Sequence, residues 1–430
     1  MGRTAGWPYL VARAATWTVT GTRCLTAAGL RSAAVRAGRA VPGRTPAEIL
    51  TAGLVRLGPS FVKGGQMLSS RADLLPPSWC APLGRLTDRM DPMPFPAARR
   101  ALAAAYPPGR DWPFAALDRT AVASGSIACV YRARLHDGRE VAVKVRRPGI
   151  GRRMHADFRL LSLGADLAQR LPGLRGTPMR RMVEQVAPAV LNQLDLRREA
   201  WMLDRLRRNL DGLVRVPAPV PPACGDGVLV MEFLDGLERF DPGAFEPAQR
   251  RTIVRNVLQA IYRMLFADGL VHCDLHPGNL YLRRSGEVVI VDAGFVVELT
   301  PRVRKQFAQF FLHMVLGNGD ACADVVLASA APIPAHSDLD GFRRGIRDLI
   351  ASTHRRRAGQ FRLASFANRL FTLQRTHGIT AAPEFVFPLL SLLTLEGMVL
   401  GLDVDVDFQR EAVPTLLKAL QIKESAEEAR

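Results

Sequence analysis

Three side chains between Gly269 and Gly294 have the types and the order that phosphoryl transfer requires. Asp274 and Asn279 follow the pattern D-x-x-x-x-N, and Asp292 comes directly after a short apolar run. Such a reaction needs one carboxylate near the accepting hydroxyl or water, and an amide oxygen with a second carboxylate to hold Mg²⁺ on the nucleotide phosphates. We therefore interpret Asp274 as the catalytic carboxylate, and Asn279 and Asp292 as metal ligands.

The run that begins at Asp274 is also typical of a simple turn. Turns favour Asp, Pro, Gly and Asn for backbone reasons, so Asp-Leu-His-Pro-Gly-Asn taken alone does not separate the two interpretations. A strand predicted from Val288 to Val291 and followed by Asp292-Ala-Gly294 favours the chemical interpretation, because it adds the second carboxylate.

A β-hairpin and a third strand upstream have the pattern of a nucleotide-binding surface. We predict a small-residue turn at Ala123–Ser126, a hairpin turn at His136–Arg139 and a strand at Glu140–Val145. Side chains alternate along a strand, so Ala142 and Lys144 share one side. That side offers a small wall for a planar base and a cation for its phosphates.

The rest of the nucleotide surface is predicted from the same segment and from a buried strand at Val228–Met231. The small-residue loop is expected to cover the phosphates with backbone N–H groups, and the connector after the strand is expected to face the adenine. The residues assigned to the cofactor are Ala123, Ser124, Gly125, Ser126, Ile127, Val130, Ala142, Lys144, Glu232 and Leu234.

Glu199 is the residue predicted to orient Lys144. It lies in a helical stretch between residues 178 and 210, and a lysine aimed at phosphates is usually paired with a carboxylate from a facing helix. The alternative is an ordinary surface glutamate beside Arg197 and Arg198. On the first interpretation, Lys144 and Glu199 join Asp274 as catalytic residues.

Two N-terminal helices are predicted from their start signals. Thr45-Pro-Ala-Glu48 has the form of a capping box, and Gly58-Pro59 ends that helix and starts the next. The second helix contains Gly64 and Gly65, and each internal glycine costs about 1 kcal/mol relative to alanine. A close backbone approach is therefore expected there, either a tight helix crossing or a contact with another part of the active site.

Composition and charge restrict the partners of the chain. Its 430 residues with 48% hydrophobic content suit two or three lobes with their own cores. A net charge of +18, from 58 Lys and Arg against 40 Asp and Glu, favours anionic partners or reflects an arginine-rich composition with solvated helix faces. Nucleic acid is not expected, because the basic residues are scattered and no run of aromatic residues is interleaved with them.

The cysteine pattern and the hydropathy predict a cytoplasmic protein. The six cysteines include no C-x-x-C pair, which is typical of free thiols in a reducing compartment. No uncharged apolar run reaches the ~20 residues of a membrane-spanning helix. The cysteines are Cys24, Cys80, Cys129, Cys224, Cys273 and Cys322.

Residues 1–44 form a basic segment that is expected to be a flexible tail. Residues 1–45 contain seven arginines and no acidic residue, with Trp7 and Trp17 between them. Peripheral contact with an anionic membrane surface is one alternative, because arginines pair with lipid phosphates and tryptophans favour the interface. An organelle transit sequence is the other.

The remaining chain is predicted to contain three structural regions and a short end. A helical extension covers residues 45–110, a strand-rich lobe with inserted helices covers 111–235, and a helical lobe with the catalytic loop covers 236–420. Residues 421–430 are expected to form a tail. The clearest helix in the chain has one apolar stripe formed by Ile253, Val254, Val257, Leu258, Ile261, Met264 and Leu265.

These motifs together resemble the AarF-domain or UbiB family of atypical, protein-kinase-like proteins over roughly residues 45–420. The most specific piece is Lys63-Gly-Gly-Gln66, which ordinary protein kinases lack; the others are the small-residue loop, Val141-Ala-Val-Lys-Val-Arg-Arg-Pro-Gly149, Glu199, and the loop from Asp274 to Asn279. The resemblance implies an α+β, bilobal protein-kinase-like fold with an added N-terminal helical element and a mostly α-helical C-lobe.

The resemblance also implies an activity and roles for individual residues. It implies ATP and Mg²⁺ as cofactors, ATPase or phosphotransferase activity on a small-molecule or lipid substrate, membrane association, and a place in isoprenoid quinone or other lipid metabolism. Lys144 would contact the nucleotide phosphates and Glu199 would orient it. Lys63 and Gln66 would be gating residues over the site where a protein substrate would otherwise bind.

The chain departs from the family pattern at three positions. Gln193 stands where the family usually has a glutamate two residues before Asp195, which removes one carboxylate. Ala293 replaces the phenylalanine of Asp-Phe-Gly, and Cys129 stands where glutamine is common.

Two other functions remain open. A small-molecule phosphotransferase of the aminoglycoside or choline kinase type would share the pattern from His272 to Asn279, but that group lacks the Lys63–Gln66 segment. A nucleotide-binding scaffold without turnover would need none of the acid-base chemistry, so retention of Lys144 and Asp274 argues against it.

Overall fold

The computed structural model describes residues 6–37, 43–69, 77–84, 86, 90–107, 109–168, 179–239, 244–276, 278–330, 332–354, 362–379, 385, 388–389, 391–393, 396 and 408–427. The chain divides into two compact units. The first contains residues up to Trp201 together with Pro219–Phe233, and the second contains Met202–Ala218 and the chain from Leu234 onward. Both units combine helices with β-sheet, so the α+β class predicted from the sequence is correct.

The first unit has seven complete helices and one sheet among the described residues. The helices are α1 (Trp7–Arg36), α2 (Pro46–Leu57), α3 (Pro59–Ser69), α4 (Pro77–Gly84), α5 (Phe95–Ala105), α6 (Ile150–Ala168) and α7 (Met179–Leu191), and α8 (Leu196–Asn209) begins here. The strands are β1 (Phe114–Ser124), β2 (Ala128–Leu135), β3 (Glu140–Arg146) and β4 (Val228–Glu232), which form an antiparallel sheet in that order.

The start of α2 has the capping box predicted from the sequence. Thr45 Oγ1 accepts the N–H of Glu48 at 3.2 Å, and the Thr45 N–H donates to Glu48 Oε2 at 2.8 Å. These two bonds satisfy donors that a helix start leaves unpaired.

Only one of the two glycines in α3 lies at a close approach. A Cβ atom at Gly65 would lie 2.5 Å from Leu86 Cδ1 and 3.1 Å from Leu54 Cδ1, whereas one at Gly64 would meet nothing within 4 Å. The contact at Gly65 is therefore the tight helix crossing, since Leu54, Leu83 and Leu86 pack together there.

The expectation of a flexible tail at residues 1–44 is wrong for residues 7–36, which form α1. The buried face of this helix includes Leu10, Arg13, Cys24 and Ala28, spaced as one side of a helix requires. Small residues and an arginine make up much of that face, so the apolar periodicity in the sequence is weak. The composition suggested a solvated tail because the partner of the arginine lies far along the chain.

That partner is Asp157 of α6, whose side chain is fully buried. Arg13 donates from Nε to Asp157 Oδ1 at 2.5 Å and from Nη2 to Oδ2 at 3.0 Å. Ser60 Oγ of α3 donates to Oδ2 at 2.9 Å, and Trp17 Nε1 lies 3.3 Å from Oδ1. One carboxylate thus ties together α1, α3 and α6.

The second unit contains the end of α8, six further α-helices among the described residues, and two small sheets. The helices are α9 (Pro247–Tyr262), α10 (Pro301–Val315), α11 (Gly319–Ser329), α12 (Leu339–His354), α13 (Leu363–Thr376) and α14 (Phe408–Glu427), with α9 continuing as a π-helix at Arg263–Asp268. The strands are β5 (Glu238–Arg239), β6 (Leu270–His272), β7 (Leu280–Leu282), β8 (Val288–Ile290) and β9 (Val296–Glu298). The sheets have the orders β5-β7-β8 and β6-β9.

Helix α9 and its π-helical end form much of the core of this unit. Every member of the apolar stripe predicted from the sequence is buried. The segment ends at Gly269, whose φ of +68° is left-handed and favours glycine. Thr300 caps α10 by accepting the Val303 N–H at 3.3 Å, and Pro301 occupies the first turn.

Three further sequence predictions concern the C-terminal residues, membrane-spanning helices and the cysteines. The tail predicted at residues 421–430 is wrong up to Glu427, where α14 ends. No helix in the described part of the chain is both long and apolar enough to cross a bilayer. Five of the cysteines are buried and belong to no disulfide, and Cys80 lies outside the described side chains.

Candidate active site

The predicted catalytic loop joins β6 to β7, and its backbone is held by His272. The imidazole Nε2 lies 2.7 Å from the Asp292 carbonyl oxygen, while the Asp274 N–H donates to Nδ1 at 3.2 Å. The backbones at Asp274 and Asp292 are therefore connected through one side chain. Pairing of β6 with β9, extended by a bond from the Cys273 N–H to the Phe295 carbonyl oxygen at 2.9 Å, holds the same two segments side by side.

The imidazole of His272 is neutral with its proton on Nε2. Complete burial lowers the pKa of His272 below its usual range, and the bond to the Asp292 carbonyl opposes this only in part. A carbonyl oxygen accepts, so Nε2 must donate to Asp292, and Nδ1 is left as the acceptor for the Asp274 N–H. Both bonds thus agree with a single tautomer.

Asn279 is fixed with its amide nitrogen turned toward the loop. The side-chain Nδ2 donates to the Asp274 backbone carbonyl at 2.9 Å. The backbone carbonyl of Asn279 accepts the Val291 N–H at 3.1 Å. The amide oxygen is then the atom that could ligate a metal ion. Asp292 accepts the Gly294 N–H on Oδ1 at 2.8 Å, which fixes the orientation of its carboxylate.

The donor types at Asn279 and Asp292 fit Mg²⁺. An amide oxygen and a carboxylate are hard oxygen ligands, and Mg²⁺ is usually bound by one or two such groups together with waters and substrate phosphates. Such a site does not require a cluster of three or more acidic, histidine or cysteine side chains, and none is found among the described residues.

Asp274 lies beside His276 in the catalytic loop. His276 Nε2 is 3.6 Å from Asp274 Oδ1, and its Nδ1 accepts the Gly278 N–H at 2.9 Å. The Asp274 side chain is 15% exposed, so a hydroxyl or a water can reach it. That partial exposure suits a carboxylate that accepts a proton during transfer.

Lys144 of β3 and Glu199 of α8 form a buried ion pair in the first unit. Nζ lies 2.6 Å from Oε1, with 14% of the lysine side chain and 2% of the glutamate side chain exposed. The strand register places Lys144 opposite Val130 of β2, which in turn lies opposite Ala123 of β1. The pair therefore lies in the row of the sheet that ends at the small-residue loop.

The start of α8, which places Glu199, is fixed by capping and by a neighbouring arginine. Asp195 Oδ1 accepts the N–H groups of Arg197 and Arg198 at 3.0 and 3.3 Å. Such a cap contributes about 1 kcal/mol. Arg146, two residues after Lys144, donates to the Leu194 carbonyl and, at 2.9 Å, to the Asp226 carbonyl. Strand β3 thus carries Lys144 itself and, through Arg146, helps to position the start of the helix that carries Glu199.

The other residues predicted to contact the nucleotide lie on the same sheet or beside it. Ala142 is buried on β3, and Glu232 ends β4 opposite Val141. Ser126 is also buried, and its Oγ has no hydrogen-bond partner among the described residues. Leu234 belongs to the second unit, directly after the boundary between the units.

Lys63 and Gln66 are both held inside the first unit by α3. The Lys63 side chain is 1% exposed, and Gln66 Nε2 donates to the Leu86 carbonyl at 3.0 Å. Gln193 lies in a 3-10 turn before α8 and is also buried, with its Nε2 unpartnered within the described ranges. The residues that follow Lys63–Gln66 in the motif, 70–76, lie outside the described residues.

The predicted site residues fall into one set in each unit. The first unit holds the small-residue loop, Lys144, Glu199, Lys63 and Gln66, and the second holds Asp274, Asn279, Asp292 and Leu234. Sequence reasoning did not assign roles to His272, Asp195 or Arg146. The spacing His-x-Asp was a usable signal for His272, because a histidine two residues before a loop carboxylate can reach its N–H.

Comparison with known proteins places this geometry in a family context. The model of the ABC1 atypical kinase-like domain matches residues 85–326. A probable protein kinase UbiB from Aeromonas hydrophila is 31% identical over 371 residues, covering 84% of this chain and 68% of the relative. Proteins of the same name from Sodalis glossinidius and Marinobacter nauticus are 29% and 30% identical, covering 86% and 87% of this chain and 69% and 70% of the relatives.

A solved structure shows the same fold at lower identity. The complex of Rv3197 with erythromycin from Mycobacterium tuberculosis aligns with a TM-score of 0.54 at 20% identity, covering 90% of this chain and 96% of that chain. At this identity the likeness is one of fold alone.

Proposed function

Because the chain belongs to the ABC1 atypical kinase-like family, we propose that it is a Mg-ATP-dependent ATPase or phosphotransferase acting on a small lipid molecule of isoprenoid quinone metabolism. The kinase-like family implies ATP use in general. The Mg²⁺ dependence, the acceptor and the residue roles belong to this proposal. The relatives named UbiB support the quinone pathway, since that name denotes proteins of ubiquinone biosynthesis.

The observation that most supports the proposal is the Lys144–Glu199 pair at 2.6 Å. Burying two charges is costly, and a hydrophobic pair of the same volume is often no less stable. A buried pair at the base of a small-residue loop is therefore better explained by a function in ligand binding than by a contribution to the stability of the fold. The function that fits is to direct an ammonium group toward nucleotide phosphates.

Four residues of the second unit have matching roles in the proposed reaction. Asp274 accepts a proton from the attacking hydroxyl or water, and His272 keeps the backbone of Asp274 in place. Asn279 and Asp292 would hold Mg²⁺, which neutralises charge on the phosphates when bound. Together these residues position the reacting groups and neutralise the phosphate charge, which is most of what phosphoryl transfer requires.

A nucleotide-binding scaffold without turnover is the second candidate. It is favoured by one observation, Gln193 in place of a glutamate, which removes a carboxylate from a buried position. A scaffold would bind ATP and release no phosphate.

The first test is phosphate release by the purified protein. Wild type with Mg-ATP should release phosphate, and Lys144→Met should lower the rate about 10²-fold, because the cation that compensates phosphate charge is lost. Lys418→Met, at an exposed position of α14, should retain the wild-type rate. ATP binding without phosphate release by wild type would instead identify the scaffold.

We further propose that the outer face of α1 contacts an anionic membrane surface. This face exposes Trp7, Val11, Leu25 and Leu30, with 68% of Trp7 and 69% of Leu30 accessible. Residues 1–47 contain no acidic side chain. Exposed apolar side chains with arginines favour a bilayer that contains anionic lipids, where each cation near the surface contributes about 1 kcal/mol.

The membrane proposal is tested with vesicles and point substitutions in the full chain. Removal of α1 is unsuitable, because it would leave Asp157 buried without Arg13. The double variant Leu25→Glu and Leu30→Glu should bind vesicles of phosphatidylcholine with phosphatidylglycerol several-fold less than wild type does. Leu316→Glu, at an exposed position after α10, is the matched control. Equal sedimentation of all three proteins would contradict the proposal.

A further inference from the structure

Arg147, in the turn between β3 and α6, makes hydrogen bonds that converge on the loop between β1 and β2. Its Nε donates to the Gly125 carbonyl at 3.0 Å, and its Nη2 donates to Ser124 Oγ at 2.8 Å. Its backbone N–H donates to the Ile127 carbonyl at 2.8 Å. One residue thus contacts both ends of the loop, and sequence reasoning gave it no role.

Arg147 is itself held from both sides, so it can act as a fixed point. The preceding residue, Arg146, lies in β3 opposite Ala128 of β2, and the Arg147 carbonyl accepts the Ile150 N–H of α6 at 3.3 Å. The guanidinium also donates to the Asp91 carbonyl at 2.6 Å. The loop is therefore tied to an arginine whose own backbone is anchored in the sheet.

The bond to Gly125 determines which way the next amide faces. In a trans peptide the C=O of one residue and the N–H of the next point in opposite directions. Because the Gly125 carbonyl accepts from Arg147, the Ser126 N–H is directed away from Arg147. The bond from Arg147 to the Gly125 carbonyl, which we call the tether, thereby fixes the direction of the Ser126 N–H.

The acceptors of the Arg147 guanidinium in this cluster are neutral oxygens: two carbonyls and one hydroxyl. An arginine does not lose its proton in a protein, so its positive charge adds to the potential at the base of the loop. Both effects favour an anion on the loop side. A lysine would keep the charge but not the two separate donor nitrogens that reach Gly125 and Ser124.

We propose that Arg147 is a positioning residue for nucleotide binding: it holds the β1–β2 loop in the conformation in which the Ser126 N–H receives phosphate, the Gly125 N–H being bonded to the Ala128 carbonyl at 2.9 Å. This inference rests on the proposed use of ATP. It predicts that Arg147 affects nucleotide affinity more than the turnover rate, because it does not contact the transferred group.

The test measures the loop and the nucleotide separately, in the full-length protein. Amide hydrogen exchange over residues 124–128 is followed without nucleotide, and the affinity for a fluorescent, mant-labelled ADP is measured in parallel. Arg147→Met should raise exchange in the loop and the Kd about tenfold each, with kcat at saturating ATP within about threefold of wild type. Arg147→Lys should lie between the two. Arg139→Met, in an exposed hairpin where Arg139 binds Asp137, should match wild type.

Each outcome decides the inference. Unchanged amide exchange over residues 124–128 in Arg147→Met would show that Arg147 does not hold the loop. Raised exchange with an unchanged Kd would show that holding the loop has no part in nucleotide binding. If Arg147→Met does not fold, Arg147→Lys decides, since equality with wild type in both measurements would overturn the inference. If wild type binds no nucleotide, the proposed function fails and this inference fails with it, whereas exchange still reports whether the tether exists.

Discussion

Replacement of Asp292 by asparagine is expected to lower the rate of phosphate release from Mg-ATP about 10³-fold. The amide keeps the size of the side chain and can still accept the Gly294 N–H, which lies 2.8 Å from Oδ1. The fold at this position is therefore retained. What is lost is the negative charge, and a neutral amide is a much weaker ligand for Mg²⁺. Phosphate release measured at increasing Mg²⁺ concentrations checks this result.

The control for Asp292→Asn is Glu287→Gln, which removes a carboxylate from an exposed pair with Arg283 in the same unit. It should leave the rate and the Mg²⁺ dependence unchanged. A rate for Asp292→Asn within a few-fold of wild type would show that Asp292 is not a metal ligand. Unfolding temperatures of both variants close to wild type would confirm that chemistry, not stability, was changed.

Replacement of Arg13 by alanine is expected to lower the free energy of unfolding by about 3–5 kcal/mol, the usual result of leaving one member of a buried ion pair alone. Asp157 would keep Ser60 and Trp17 as hydrogen-bond donors but would lose its positive partner. Urea unfolding followed by circular dichroism measures the loss. Arg23→Ala, at an exposed position of the same helix, should change stability by less than about 1 kcal/mol.

A double variant separates the charge from the packing. With Arg13→Met and Asp157→Leu together, neither member of the pair is left as a buried charge, so much of the lost stability should return. A single Arg13→Ala variant as stable as wild type would show that α1 does not depend on this pair.

Features that depend on neighbours along the chain were predictable from the sequence. The capping box at Thr45 and the apolar stripe of α9 are each specified by residues close together in sequence, and each is present. Asp274, Asn279 and Asp292 lie on a loop and a strand that are adjacent in sequence, so their positions follow from the same local signals, and their roles in catalysis and metal binding stay predictions.

Features that depend on distant partners were not predictable. Arg13 resembled a residue of a basic tail because its counter-ion is 144 positions away. Gly64 and Gly65 are equivalent in sequence, yet only Gly65 meets Leu86. The contacts of Arg147 with the loop, 22 and 23 residues back along the chain, leave no periodic signal either.

The bond from His272 to the Asp292 carbonyl bears on which inhibitors could act on this protein. Inversion of the Asp292-Ala-Gly294 segment would break this bond of 2.7 Å and leave the buried imidazole of His272 without that partner, at a cost of about 1–3 kcal/mol. Ala293 is buried and its side chain is only a methyl group, so moving it by inversion of the segment would open no large pocket for an inhibitor. Compounds that select an inverted segment should therefore gain little affinity here, and competition for the nucleotide surface is the more promising route.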